Sequence, residues 1–261
     1  MRWCRFQTNE GASYGIIEDN EVIQVDGTPF NDYKRTTTRL PLDGVNLLLP
    51  VVPSTFYAAG INYMDHVLRM AAITGREGNP PTAANIGYRA NNALIAHNEP
   101  IVIPRNASER VQYEGELVVV IGKTAKHIAH DEVWDYILGY TIGNDFSERT
   151  WQASDTGLWR AKNSDTFKPM GPWIETDVDL DSMRTLVRVN DREVENFKTN
   201  NMIFDIPTYM SIMSDYMTLH PGDVIWMGTD GVPENVKPSD VIEIEITGIG
   251  VLRNPVIKEA S

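Results

Sequence analysis

The chain has one cysteine, Cys4, and no apolar run long enough to form a membrane-spanning helix. An internal disulfide framework is therefore excluded, and a lone cysteine suits a reducing compartment. Positive charge is also scarce, since 23 Lys and Arg stand against 36 Asp and Glu, for a net charge of −13. This balance argues against nucleic acid or an anionic membrane as a partner. Because the N-terminal residues carry no apolar signal segment, we expect a soluble cytoplasmic protein.

Several common catalytic signatures are missing as well. The sequence has no G-x-G-x-x-G or Walker-type phosphate loop and no G-x-S-x-G nucleophile elbow. His127 and His130 form a His-x-x-His pair without further zinc ligands nearby, so loop polarity explains them better than a zinc site.

Short β-type segments dominate what is present. A hairpin is predicted around the turn at residues 18–20, and other strand patterns occupy residues 117–121, 139–143, 186–189, 223–227, 241–246 and 250–252. Helical patterns are fewer, at residues 65–74, 132–138 and 146–152. Because strands outnumber helices and mostly lack βαβ spacing, the predicted fold class is mixed α/β and β-rich. Residues 1–52 are expected to form a small N-terminal β-rich subdomain, and residues 53–261 the main domain.

Glu114 and Glu116 are the most informative residues, because they precede the apolar run 117–121 that predicts a buried strand. Side chains two apart on a strand point to the same face, so both carboxylates project side by side. Burying two like charges is costly unless a cation compensates them. The simpler alternative for an isolated Glu-x-Glu is a solvated strand end with two unrelated acids.

Two later residues add to this pair. Asp145 follows a strand-like run at a Gly-Asn-Asp turn, where it either contributes a third acid or simply caps the next helix. Lys162 lies between an apolar segment and a turn, so its ammonium group is either functional or solvated. Lys168, directly before Pro169, is expected to be solvated.

Six motifs in order resemble the fumarylacetoacetate hydrolase family over roughly residues 53–257. The motifs that carry the resemblance are Gly60–His66, Tyr113–Gly122, Gly139–Arg149, Ala161-Lys162, Gly171-Pro172 and Gly222–Thr229. The resemblance implies a β-sandwich roll with a small N-terminal β subdomain, a catalytic domain over residues 53–261 and a homodimer.

The resemblance also implies a metal site, formed by Glu114, Glu116 and Asp145. Three hard oxygen ligands with no thiolate or imidazole favour Mg²⁺, Mn²⁺ or Ca²⁺ over Zn²⁺. Lys162 matches the family's active-site lysine, whose ammonium group would hold a substrate oxygen. Further matches imply substrate-binding roles for Arg149, Gln152 and Thr229.

Two positions depart from the family pattern. His66 matches a lid histidine that, in the family, pairs with a glutamate three residues on to activate water, but that position here is Arg69. A guanidinium group cannot accept a proton from His66, so either another acid such as Glu77 substitutes or water activation differs. Arg89 stands where the family commonly has Lys-Pro. Both arginines place fixed positive charge near the expected mouth of the site, which predicts a substrate with a second anionic or strongly polar group.

The expected function is a divalent-metal-dependent hydrolase that cleaves a carbon–carbon bond in a 2-oxo acid or 1,3-dicarbonyl (acylpyruvate-like) substrate of a catabolic pathway. The catalytic residues would be Lys162 and His66, with Arg69 and Arg89 at the substrate. The alternative keeps the same metal and lysine but catalyses decarboxylation, isomerisation or hydration. A metal-containing binding protein without turnover is a third hypothesis. The expected partner is a small-molecule 2-oxo acid, with neither nucleic acid nor membrane.

Overall fold

A computed structural model describes residues 1–75 and 77–260 of the chain. Its four α-helices are α1 (Met64–Thr74), α2 (Arg149–Gln152), α3 (Trp159–Asn163) and α4 (Ile206–Tyr216). Three short 3₁₀ helices cover Leu42–Gly44, Asn91–Ala93 and His130–Tyr136. The strands are β1 (Arg2–Thr8), β2 (Gly11–Glu18), β3 (Glu21–Gly27), β4 (Tyr33–Pro41), β5 (Phe56–Ala59), β6 (Ile86–Tyr88), β7 (Leu94–Ile95), β8 (Ile101–Ile103), β9 (Val111–Gln112), β10 (Gly115–Ile121), β11 (Ile137–Asn144), β12 (Ser147–Glu148), β13 (Lys168–Glu175), β14 (Arg184–Val189), β15 (Arg192–Lys198), β16 (Val224–Trp226), β17 (Val241–Ile246) and β18 (Gly250–Lys258).

Two large sheets face each other. In the described residues the larger sheet has eleven strands in the order β4-β3-β2-β1-β13-β11-β10-β16-β5-β6, with β7 paired to β13. The second sheet has five strands in the order β15-β14-β17-β18-β8, and β9 pairs with β12 separately. The main core fills the space between the sheets and combines side chains such as Leu117 and Val119 with Val187 and Ile244. The β-rich sandwich expected from the sequence is thereby confirmed.

The central strand β10 is buried along its whole length, as its run of β-branched residues predicts. It pairs antiparallel with β11 on one side and with β16 on the other. Gly143 of β11 stands opposite Glu116, and a Cβ atom at position 143 would lie 2.7 Å from the Trp226 ring. A glycine is therefore required where β11 passes this ring.

The N-terminal segment continues the large sheet. The predicted hairpin is present, with β2 and β3 joined at Asp19 and Asn20, both at positive φ. Strand β1 pairs with β13 through Arg2–Glu175 and Trp3–Ile174, so residues 1–50 share a sheet with the rest of the chain. A boundary near residue 52 stays a prediction.

Helix α1 begins at Met64 and ends at Thr74, and the next residue, Gly75, caps it with a left-handed φ of 67° and an amide that donates to the Ala71 carbonyl. The sequence predicted this stop, because glycine adopts positive φ without steric cost. Within the loop expected at residues 75–81, residue 76 lies outside the described residues. None of the described helices is both long and apolar enough to cross a membrane.

Candidate metal centre and substrate site

Three buried carboxylates converge beside the first residues of β10. One oxygen from each of Glu114, Glu116 and Asp145 lies within 4.8 Å of the others, and the three residues are at most 6% exposed. No other group of three or more metal-ligating side chains of this kind occurs in the described part of the chain. The solvated strand end considered for an isolated Glu-x-Glu is thereby excluded.

Strand pairing explains why Glu114 and Asp145 meet although they are 31 positions apart in the chain. Gly115 stands opposite Asn144 across the β10–β11 ladder, so Glu114 and Asp145 flank the same end of that ladder. The Asp145 amide donates to the Glu114 carbonyl at 2.9 Å, and the Asn144 side chain accepts from the Glu114 amide at 3.1 Å. Asp145 is not the helix cap, because the Glu148 carboxylate caps α2 instead.

Four basic side chains surround the acids. Lys162 Nζ lies 2.6 Å from Glu114 Oε2 and 2.5 Å from Asp145 Oδ2, and Arg89 Nη2 lies 2.9 Å from Asp145 Oδ2. Lys168 Nζ lies 2.8 Å from Asp145 Oδ1. On the far side of the site, Arg149 Nη2 lies 2.7 Å from Glu114 Oε1.

The three acids differ in the direction in which their surroundings shift the pKa: it is lowered for Glu114 and Asp145 and raised for Glu116. Burial alone would raise the pKa of Asp145, but Arg89, Lys162 and Lys168 hold it well below its usual range. Arg149 and Lys162 likewise lower the pKa of Glu114 against the effect of its burial.

Glu116 has the opposite character. Burial and then the charges of Asp145 and Glu114 raise its pKa to about 8, and its Oε2 accepts a hydrogen bond from the Gly228 amide at 2.8 Å. Without a metal, this carboxyl group therefore keeps its proton at neutral pH.

These residues fit a hard divalent cation. The donors are carboxylate oxygens, close together, buried and without nearby thiolate or imidazole ligands. Among the described residues, the basic side chains form ion pairs with Glu114 and Asp145 but not with Glu116, so the Glu116 side of the site lacks a neutralising charge. A dication beside Glu116 would supply it.

The two lysines occupy different positions on Asp145. The Lys162 side chain is 6% exposed and comes from α3, whereas Lys168 is fully buried at the start of β13. Lys168 Nζ also donates to the carbonyl oxygens of Phe146 and Phe167, both at 2.9 Å. The expectation that Lys168 is solvated is wrong, because these carbonyls and Asp145 replace its hydration. Burial lowers its pKa to about 7.

Arg149 and Gln152 form one side of the site on α2. Arg149 donates through Nε to Gln112, through Nη1 to Gln152 Oε1 and through Nη2 to Glu114, at 2.7–2.8 Å. Its guanidinium group is thus fixed by three acceptors. The Gln152 amide nitrogen makes no hydrogen bond to the residues described, so it is available to a ligand.

His66 and Arg69 face the site from α1. The preceding Asn62 anchors this helix by accepting from the Phe204 amide at 2.9 Å and donating to the Phe204 and Met227 carbonyls at 3.1 Å. Burial lowers the pKa of His66, against the opposing charge of Glu114. The imidazole is therefore neutral at pH 7, and no carboxylate of the described residues accepts a hydrogen bond from it.

Arg69 is held by the loop that follows β16. Its Nη2 donates to the carbonyls of Asp230 and Gly231 and lies 3.4 Å from Asp230 Oδ1. Asp230 Oδ1 also accepts from the His66 amide at 3.1 Å. The start of α1 and this loop are therefore joined through one aspartate.

Three further residues were predicted to act at the site. Arg89 does not lie at the mouth, since its side chain is 8% exposed and is bound to Asp145 and to the Tyr88 carbonyl. Thr229 is buried and accepts from the Gly231 amide at 3.3 Å. Glu77 is exposed and accepts from the Asn79 side chain, so the described contacts do not join it to His66.

Sequence reasoning missed Lys168, Asp230 and Glu195. No strand was predicted over Lys168–Glu175, so nothing in the sequence analysis marked Lys168 as buried. Nothing local marks Asp230 or Glu195, whose burial depends on segments distant in the chain.

The chain belongs to the fumarylacetoacetate hydrolase family. The sequence model of the fumarylacetoacetate (FAA) hydrolase C-terminal domain matches residues 55–257, and an Rv2993c-like N-terminal model matches residues 1–50. The family resemblance drawn from the six motifs is thereby confirmed.

Relatives of the chain catalyse several reactions. It is 35% identical over 231 residues to oxaloacetate tautomerase fahd2 of Xenopus laevis, covering 84% of this chain and 70% of that protein. The crystal structure of 5-carboxymethyl-2-hydroxymuconate delta-isomerase from Mycobacterium smegmatis superposes with a TM-score of 0.89 at 35% identity, covering 99% of this chain and 100% of that one. Maleylpyruvate hydrolase from Sphingobium sp. SYK-6, in complex with manganese(II) and pyruvate, superposes with a TM-score of 0.80 at 26% identity over the full length of both chains.

We expect stabilisation by metal to increase with pH. The pKa of Glu116 rises from 4.5 to about 8 on folding, so the metal-free native state binds an extra proton and loses stability as pH rises between these values. A dication must displace that proton, so its apparent affinity should rise up to about tenfold per pH unit below pH 8. Thermal melts with and without Mg²⁺ at pH 6 and pH 8 test this. An equal metal-induced shift at both pH values would contradict it.

Proposed function

We propose that the protein is a divalent-metal-dependent enzyme that interconverts keto and enol forms of a 2-oxo dicarboxylate. Decarboxylation of such a substrate would use the same groups. The observation that carries this choice is that Arg69, rather than an acid, stands three residues after His66 and is bound to the Asp230–Gly231 loop. The relatives named above include a tautomerase and an isomerase, which supports the proposal.

Glu114, Glu116 and Asp145 would hold the cation. A bound Mg²⁺ or Mn²⁺ would act as a Lewis acid on the 2-oxo acid and stabilise negative charge on its oxygen. The Lys162 ammonium group, held between Glu114 and Asp145, would donate a hydrogen bond to the same substrate oxygen as its negative charge grows. The free Gln152 amide, beside the fixed Arg149, would orient the substrate carboxylate.

Arg69 supports a substrate with a second anionic group. Its recorded hydrogen bonds all involve Nη2, which leaves Nε and Nη1 without an acceptor among the described residues. The side chain is 30% exposed, so these donors are accessible. A distal carboxylate would match this planar donor group.

Water activation has less support than enolisation. A hydrolase needs a base that takes a proton from water, and the acid that would orient and support His66 is replaced by Arg69. The Arg69 charge also disfavours the imidazolium that such a step creates. Enolisation needs no water molecule as a nucleophile.

Carbon–carbon bond hydrolysis of an acylpyruvate-like substrate remains the second candidate. One observation favours it: the half-buried His66 imidazole is neutral at pH 7 and lies where the charges of Glu114 and Lys162 act on it. A neutral imidazole is able to accept a proton from water. The maleylpyruvate hydrolase described above shares the fold with this chain.

Product analysis distinguishes the two candidates. We expect purified protein with Mg²⁺ to accelerate the decay of enol absorbance of oxaloacetate without forming two carbon fragments from acetylpyruvate. Nuclear magnetic resonance would identify keto oxaloacetate, or pyruvate and carbon dioxide if decarboxylation occurs. Appearance of pyruvate and acetate from acetylpyruvate would instead establish hydrolysis. No acceleration with any of these compounds would contradict both candidates.

A further inference from the structure

Helix α1 begins without a cap of its own. Its N-cap residue is Tyr63, whose side chain makes no capping hydrogen bond to the first turn. The acceptor comes instead from the loop that follows β16, where Asp230 Oδ1 accepts from the His66 amide at 3.1 Å. An aspartate oxygen is a favourable acceptor at the start of a helix, and its negative charge is stabilised by the positive end of the helix dipole. The start of α1 is therefore fixed by a residue 164 positions away from His66 in the chain.

The same aspartate holds Arg69, three residues further along α1. Arg69 Nη2 donates to the Asp230 carbonyl, donates to the Gly231 carbonyl at 3.1 Å and lies 3.4 Å from Asp230 Oδ1. Asp230 is 7% exposed, so little water competes for its carboxylate. All of these contacts use one nitrogen of the guanidinium group, and its Nε and Nη1 have no acceptor among the described residues. The loop thus fixes the group and leaves its other donors available.

The loop is itself anchored beside the three acids. Before Asp230, the Gly228 amide donates to Glu116 Oε2 at 2.8 Å. After it, the Glu234 amide donates at 3.2 Å to the hydroxyl of Tyr113, the residue next to Glu114. The chain on both sides of Asp230 is therefore bound to the strand end that carries two of the acids. Through this loop, Asp230 sets where the first turns of α1 lie relative to the metal centre.

We propose that Asp230 is a positioning residue for substrate selection, and that it holds Arg69 where the guanidinium group binds the second carboxylate of the substrate. This role rests on the proposed function, because it requires a 2-oxo dicarboxylate. Asp230 acts through Arg69 and does not need to touch the substrate. A side chain that is already fixed loses less conformational freedom on binding, so its hydrogen bonds contribute more to affinity. The pair therefore favours dicarboxylates over 2-oxo acids that end in a methyl group.

The charge of Asp230 alone would act in the opposite direction. A carboxylate near the site repels an anionic ligand, so its removal would strengthen the binding of a dicarboxylate. A positioning role predicts that removal weakens this binding, and the sign of the effect distinguishes the two explanations. Asp65 provides the matched control, because it is exposed on the first turn of α1 and its charge acts on Asp230.

The test uses malate and 2-hydroxybutyrate, which differ only in a distal carboxylate or methyl group and cannot enolise as 2-oxo acids do. Calorimetry at saturating Mg²⁺ gives the preference for malate as a ratio of dissociation constants. We expect Asp230→Ala to lower this preference about fivefold or more, as for residues coupled within one hydrogen-bond network. Asp230→Asn, which retains an acceptor for the His66 amide, should lower it less. Asp65→Asn should stay within about twofold of the wild type, because exposed charges contribute little.

A double-mutant cycle assigns the effect to Arg69. In the Arg69→Ala background, Asp230→Ala should change the malate preference no further, because the group that it positions is gone. In turnover of oxaloacetate, Asp230→Ala should raise KM more than it lowers kcat, since the distal contact is present in both the ground state and the transition state. A purely structural role would weaken the binding of both hydroxy acids alike and leave the preference unchanged.

Hydrogen exchange of the His66 amide provides a readout without any ligand. It should be faster in Asp230→Ala than in the wild type and unchanged in Asp65→Asn, because only the first variant removes the acceptor of this amide. Equal exchange in Asp230→Ala and the wild type would mean that Asp230 does not hold the start of α1, and the positioning role would be wrong.

The binding outcomes separate this role from the proposed function. If wild type prefers malate and Asp230→Ala keeps or strengthens that preference, the role of Asp230 is wrong and the proposed function stands. An equal loss of preference in the Arg69→Ala background would also overturn the role, because Asp230 would then act independently of Arg69. If wild type binds both hydroxy acids equally well, the site does not recognise a second carboxylate, so the proposed dicarboxylate substrate is wrong and the role of Asp230 falls with it.

Discussion

Glu116→Gln should abolish metal binding while making the metal-free protein more stable. Loss of a residue that only orients a metal ligand costs ~10–100-fold in affinity, so loss of a ligand itself should cost at least about 100-fold. Turnover should fall with it. The losses of metal affinity and of turnover should be large, because Glu116 is the one of the three acids that forms no ion pair with a basic side chain in the described part of the chain.

The gain in metal-free stability has a separate cause. Folding raises the pKa of Glu116 to about 8, so the buried carboxyl group opposes folding at neutral pH. A glutamine removes this penalty and still offers an oxygen to the Gly228 amide. We expect roughly 1–3 kcal/mol of added stability, or ~2–4 °C in melting temperature per kcal/mol for a chain of this size.

Thermal melts with and without Mn²⁺ measure both effects at once. Wild type should gain ~2.7 kcal/mol when the metal is present at 100 times its Kd, whereas Glu116→Gln, with at least about 100-fold weaker affinity, should gain at most ~0.4 kcal/mol. Glu10→Gln, at an exposed position, is the matched control and should behave like the wild type. If Glu116→Gln is stabilised by Mn²⁺ as strongly as the wild type, the three acids do not form the metal site.

The fold was predictable wherever the pattern of neighbouring residues decides the structure. The β-branched run of β10 and the glycine that ends α1 specified their elements locally. The third acid was predictable in a different way, because Asp145 could be assigned only through the order of motifs in the family. The local sequence alone did not decide whether Asp145 is a metal ligand or a helix cap.

The remainder depended on contacts between distant segments. Arg192-Glu-Val-Glu195 has the polarity of a surface hairpin, and the burial of Glu195 follows from Gly231, 36 positions further on. Lys168 looked solvated because its carbonyl partners, Phe146 and Phe167, carry no side-chain signal. The family resemblance placed Arg89 near the mouth, whereas its ion pair with Asp145 draws it into the core. Charge patterns alone do not reveal which partner a side chain finds.

The second large effect is expected from Lys162→Met, which should reduce kcat about 10²–10³-fold, the typical effect of removing one donor to a developing oxyanion. Metal affinity should not fall. The Lys162 ammonium group lies 2.5–2.6 Å from oxygens of Glu114 and Asp145, two of the acids proposed to hold the metal, and would repel a dication there, so its removal should strengthen binding. A kcat loss together with equal or tighter Mg²⁺ binding distinguishes a substrate-binding lysine from one that only maintains the site.

Lys168→Met is the comparison that makes the result specific, because both ammonium groups bind Asp145. Lys168 is fully buried, so it has no route to the substrate, and its removal leaves the Phe146 and Phe167 carbonyls without this donor. We therefore expect Lys168→Met to lose about 1–3 kcal/mol of stability and to lose less kcat than Lys162→Met at saturating Mg²⁺. Lys123→Met, at an exposed site, controls for the substitution itself. Equal kcat losses in the Lys162 and Lys168 variants would mean that Lys162 acts through the charge balance of Asp145 and not on the substrate.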